Sequence, residues 1–136
     1  MITSLKEYIS LVEHPAVDSR RAAVLDEADA PTWHAILDAR PDLSSDVAMN
    51  KKLPTAIVDR LIAKGCSRTR AFIALKRSLS QQQLLKLSCD EDDSVRALIV
   101  NNRKTPRAIL EQLLHDESQI VSEAASKQLG NHGDGF

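Results

Sequence analysis

The chain has 136 residues, 43% hydrophobic and 27% charged, with 18 Lys plus Arg against 19 Asp plus Glu and a net charge of −1. That balance is too apolar for a disordered chain and fits one globular domain, and its neutral sum exerts no overall pull toward nucleic acid or an acidic membrane surface. One Trp, one Tyr, two Phe and four Gly argue against a β-sandwich or barrel and against a glycine-rich nucleotide site.

Residues Met1 to Glu7 show no basic start followed by an apolar stretch, so no secretory signal is expected. No apolar run approaches the ~20 residues of a membrane helix. Ser4 and Glu7 form a capping-box pattern ahead of Leu5, Tyr8, Ile9 and Val12, one stripe at helical spacing. Ile57, Val58, Leu61 and Ile62 repeat the stripe, with Gly65 placed to end that helix, and Ile109, Leu110, Leu113 and Leu114 repeat it again. Pro15, Pro31, Pro41, Pro54 and Pro106 punctuate the chain. The pattern predicts helices over 4–13, 18–28, 32–39, 44–50, 55–64, 67–77, 80–88, 93–102, 106–115 and 117–129. No segment alternates with a two-residue period, so no strand is predicted. Residues 1–130 form the expected single domain, and 131–136, glycine-rich, a disordered tail.

The helices recur. Val24, Val47, Ile73, Ile99 and Ala125 fall in one column, and Pro31, Pro54, Ser80 and Pro106 in another, with steps of 23 and then 26 residues. Each unit is a first helix, a turn marked by Pro or Ser, and a second helix. Asn50 and Asn102 share a column before the turn, where Asn tolerates the left-handed conformation that ends a helix; Lys76 holds that column in the third unit. Ser80 with Gln83 forms another capping-box pattern. A lone hairpin cannot bury its apolar face, whereas stacked neighbours can. The expected fold is all-α: a right-handed α-solenoid of about four helical hairpins with half-repeats at both ends. Ala22, Val24, Val47, Ile57, Leu61, Ile73, Leu84, Leu87, Ile99, Leu110 and Leu113 are its expected core.

Val95-Arg96-Ala97-Leu98-Ile99-Val100-Asn101-Asn102-Arg103-Lys104-Thr105-Pro106, followed by Ile109-Leu110 and Leu113-Leu114, resembles the leucine-rich repeat variant family. The segment from Asp116 through Val121 and Ala125 to Gly130 resembles half of a HEAT repeat. The resemblance spans about residues 17–130 and implies a binding scaffold. It departs in the first unit, where Trp33, Ile36 and Leu37 form the second-helix stripe out of phase, and at Asp46, in a column otherwise held by Ala23, Phe72, Leu98 and Ala124. Asp46 fits either a rotated short helix or a buried functional carboxylate. Trp33 fits a core position, although interfaces also favour Trp.

Catalytic signatures are scarce: no phosphate loop, nucleophile elbow or His-Glu-x-x-His is present. Cys66 and Cys89 lack metal spacing and read as reduced thiols. His14 and His115 sit at second-helix ends, where the helix dipole favours them. The expectation is no enzyme, no cofactor and no metal. Helix-repeat DNA glycosylases use a similar scaffold with a Trp and a catalytic Asp, but the chain is much shorter and lacks a match to their active site.

Charge position is the stronger signal. Lys51-Lys52, Lys76-Arg77 and Arg103-Lys104 fall in the turn between first and second helices, and Asp90-Glu91-Asp92-Asp93 and Asp116-Glu117 in the opposite turns. The helix dipole favours each sign at the end where it sits, which explains part of the pattern. The functional reading places Lys51, Lys52, Arg77, Arg103 and Lys104 on one edge that docks an acidic surface of a protein partner, extended by Arg60 and Lys86 on the second-helix face. That face lacks the aromatics of a single-strand groove, so a nucleic-acid-binding module using the basic edge is the alternative. The expected location is cytoplasmic, and free-standing solenoids of this kind resemble bacterial adaptor or toxin-neutralising immunity modules.

Overall fold

The computed structural model describes residues 1–14 and 16–133. Pro15 and, from the expected tail, residues 134–136 lie outside the described residues. The described residues form ten α-helices and no strand. They are α1 (Leu5–Glu13), α2 (Val17–Leu25), α3 (Ala30–Ala39), α4 (Ser44–Ala48), α5 (Thr55–Lys64), α6 (Ser67–Ala74), α7 (Gln81–Ser88), α8 (Asp93–Val100), α9 (Arg107–Leu113) and α10 (Gln119–Gly133), with a 3-10 turn at Pro41–Leu43. None is long and apolar enough to cross a membrane.

Local chemistry sets the boundaries. Ser4 Oγ accepts from the Glu7 amide at the start of α1, but the Glu7 carboxylate bonds Thr3 instead of closing the box on Ser4. Ser80 and Gln83 make the full reciprocal box at α7. Asp29 caps α3 through the Thr32 amide. Pro54 and Pro106 sit one place earlier than the first-turn position: each is the N-cap, in extended conformation, ahead of α5 and α9. Gly65 ends α5 with φ −74°, so it is not the left-handed cap that glycine often supplies. Space requires it: a Cβ there would lie 2.5 Å from the Leu61 carbonyl oxygen and 2.7 Å from Thr69 Cγ2.

The chain divides into two compact units, the boundary falling between Ile73 and Ala74. In unit 1, α1 packs against α2 and α3, α3 against α5, and α4 against α2 and α5. Its core is Ile2, Tyr8, Ala23, Trp33, Ile36, Leu37, Val47, Ile57, Leu61 and Ile73. Trp33 is fully buried, edge-on to Tyr8 at 5.3 Å. Asp46 lies half-buried in the five-residue α4. In unit 2, α8 packs against α7 and α10, and α9 against both. Leu84, Leu87, Val95, Ile99, Leu110, Leu113, Val121 and Ala125 fill that core.

Two expected core residues differ. Ala22 and Val24 are only half-buried, and α2 buries Ala23 between them. Successive residues on a helix are rotated by about 100°, and α2 carries too little apolar bulk to hold the larger Val24 inward. Two helices end three residues early, and α4, α8 and α9 end two early. α2 stops at Leu25 and α6 at Ala74, short of the predicted 28 and 77. At both places a distant asparagine takes up the carbonyls that the helix end leaves open.

Candidate partner-docking site

Asn50 and Asn102 build the turns on which the expected site rests. Among the described residues no non-glycine φ is positive, so neither asparagine is left-handed, contrary to the expectation. Each instead acts as a clamp. Asn50, fully buried, donates from Nδ2 to the carbonyls of Ala23 at 2.9 Å and Asp26 at 2.7 Å, and its Oδ1 accepts from the Lys52 amide at 2.8 Å. Asn102 donates to the carbonyls of Ala74 at 3.1 Å and Lys76 at 2.9 Å, and its Oδ1 accepts from the Lys104 amide at 3.0 Å. One side chain thus satisfies carbonyls that a helix C-terminus would leave unpaired and fixes the backbone of the cation that follows it.

In unit 2 a cavity of about 300 Å3 lies beside this clamp, lined by Ala74, Leu75, Leu98, Asn101 and Asn102 with Arg77, Arg103 and Lys104. Leu75 is 60% exposed, and Leu98 is half-buried. The three cations are exposed and have no ion pair among the described residues. Asn101 is held by Gln128 Nε2 at 3.0 Å, which ties α10 to this end of α8. The result is an apolar floor with a cationic rim.

The other expected site residues lie elsewhere. Lys51 and Lys52 form the exposed turn after Asn50 in unit 1. Arg60 is already engaged within unit 1: Nη2 donates to Asp38 Oδ1 at 2.6 Å, and Nη1 lies 2.9 Å from His34 Nδ1. Lys86 is exposed on α7 and does not line the cavity.

The opposite end of α8 is acidic. An open cleft of about 460 Å3 is lined by Glu91, Asp92, Asp93, Arg96, Glu117 and Ser118. Asp92 caps α8 through the Ser94 amide. Asp116, read from sequence as part of this acidic surface, is instead an interior group. Arg96 Nε and Nη2 donate to its two oxygens at 2.8 and 3.0 Å, each side chain is only 9% exposed, and Arg96 Nη1 donates to the Asp90 carbonyl at 2.6 Å. Burial raises the Asp116 pKa, but the Arg96 and Ser118 hydrogen bonds outweigh it and hold the carboxyl below its ordinary range. Nothing in the local sequence marks Asp116 as the partner of an arginine 20 residues away.

Cys66, exposed just before α6, has a thiol pKa lowered to about 7 by the Thr69 hydroxyl, 3.4 Å from Sγ. Among the described residues no group of three His, Cys, Asp or Glu side chains is placed to hold a metal ion. Compared with family models, with curated proteins and with solved structures, the chain has no match in any of the three.

Proposed function

We propose that the chain is a non-enzymatic scaffold that binds another protein, built as a right-handed α-solenoid of hairpin repeats of the leucine-rich repeat variant type. The recurrence of the Asn50 clamp at Asn102 supports the repeat reading, since both asparagines grip the end of the helix one repeat upstream. The observation that carries the functional reading is the unit 2 cavity, where Arg77, Arg103 and Lys104 join an apolar lining and have no ion pair among the described residues. Charged rims steer encounter and apolar floors hold what arrives. The lining contains no aromatic side chain on which a base could stack, which favours a protein over a single-stranded nucleic acid.

Selection of random displayed peptides on the immobilised chain tests this. Enriched peptides should carry Asp or Glu beside a large apolar residue. Their association should slow several-fold when Arg77, Arg103 and Lys104 are reversed to Glu, most clearly at low salt. Enrichment indifferent to that reversal removes the cavity from the site. Oligonucleotide binding that weakens with a slope near −0.9 per phosphate contacted moves the reading to a nucleic-acid module.

A further inference from the structure

The two most exposed large aliphatic side chains of unit 2 lie at its two oppositely charged ends. Leu75, 60% exposed, lines the cationic cavity with Arg77, Arg103 and Lys104. Ile120, 70% exposed, lies in the first turn of α10. Two contacts fix which end that is. Ser118 Oγ donates to Asp93 Oδ2 at 3.0 Å, placing the start of α10 beside the start of α8 and the acidic cleft. Gln128 reaches Asn101 at the far end of α8. The two ends are therefore separated by the length of α8, about 12 Å at 1.5 Å per residue. One end presents an apolar knob with Glu117 and Asp93 near it, and the other an apolar hollow rimmed by three cations.

Knob and hollow match in both sign and polarity. They cannot meet within one copy, because α8 holds them apart. We infer that the occupant of the cationic cavity is a second copy of this chain, which inserts Ile120 toward Leu75 and Leu98 and sets Glu117 against Arg103 and Lys104. The inference rests on the reading of this cavity as a protein-docking site. The contact joins two different surfaces, so it either repeats head to tail, each docked copy leaving one free cavity and one free knob, or is made twice in a two-fold dimer in which each copy's knob fills the other's cavity. A cavity of about 300 Å3 is at the small end of binding sites, and the contact belongs with the weak, transient class.

Sedimentation velocity on the full chain over a wide concentration range tests it, at about 0.1 M and about 1 M salt, where the screening length falls from about 10 to about 3 Å. The expected result is a mass that rises with concentration above that of the monomer and falls at high salt. Two double variants, Arg103→Glu with Lys104→Glu and Glu117→Gln with Ile120→Ser, change exposed positions only. Each alone should associate at least tenfold more weakly. Mixed together they should form a one-to-one pair and nothing larger, since each supplies the surface the other lacks. A chain that stays monomeric throughout overturns the inference, as does self-association that survives either double variant. Those outcomes leave the peptide selection free to succeed, so failure of self-docking and failure of the docking site are separate results.

Discussion

The two units differ in the largest polar side chains that they bury. Unit 1 fills its core with aromatic bulk, and leaves Tyr8 Oη and Trp33 Nε1 buried without a hydrogen-bond partner. Unit 2 buries a charged pair and satisfies it: Arg96 spends its guanidinium on both Asp116 oxygens and the Asp90 carbonyl. The contrast shows two routes to a small core. Unit 1 gains the apolar burial of two large rings and bears the cost of their unpaired polar tips, whereas unit 2 holds a bonded network whose members depend on one another.

Removing one member of each arrangement separates the routes. Trp33→Ala should cost about 3–5 kcal/mol through the cavity it leaves. Asp116→Ala should cost about 1.5–3 kcal/mol, because Arg96 loses both charge-assisted hydrogen bonds while Asp93 and Glu117 still act on its charge. The two differ in their pH response. The lowered Asp116 pKa stabilises the fold above the ordinary carboxylate pKa of about 3.9 and loses that effect as pH falls through the folded value. Urea midpoints should therefore show the gap between wild type and Asp116→Asn closing in acid, while the Trp33→Ala gap persists. Tyr8→Phe, by contrast, should be nearly neutral or stabilising, since it removes a buried hydroxyl without a partner.

The clamps allow a finer comparison. Asn50 is fully buried and Asn102 half-buried. Asn50→Ala should cost more than Asn102→Ala, each within about 1–3 kcal/mol for the carbonyls left open. Trp33, the one tryptophan, reports unfolding of unit 1 alone, and helical circular dichroism reports both units. In a continuous solenoid the two signals coincide during denaturation, and a biphasic dichroism trace whose first step leaves Trp33 fluorescence unchanged would break that reading. The smallest effect is chemical. Alkylation of Cys66 should rise through a midpoint near pH 7, and Thr69→Val should move that midpoint upward.

Helix positions were legible because each is a local matter of spacing and caps. The stripes at Leu5 to Val12, Ile57 to Ile62 and Ile109 to Leu113 and the Ser80–Gln83 box all stand where the sequence places them. Long-range polar contacts were not. Asn50 and Asn102 read as helix terminators because their acceptors lie 24 to 28 residues upstream. Asp116 read as a surface charge because its burial depends on α8 and α10 packing together. Of the candidate site, Arg77, Arg103 and Lys104 were legible as a recurring charge. The exposed Leu75 floor was not, because the sequence predicts that α6 runs through it.

The asparagine clamp has a consequence for how such a chain can change length. Its two acceptors are three residues apart in one unit, Ala23 and Asp26, and two apart in the other, Ala74 and Lys76. All four are main-chain carbonyls, so the grip reads the shape of a frayed helix end and is indifferent to the side chains there: alanine, aspartate and lysine serve alike. A single-residue insertion or deletion beside the helix end therefore alters which carbonyls are held without releasing the hold. The segments beside Asn50 and Asn102 can therefore differ in length and composition, whereas Lys76, in the same column, has a side chain that donates but cannot accept, and so cannot make the second half of the grip.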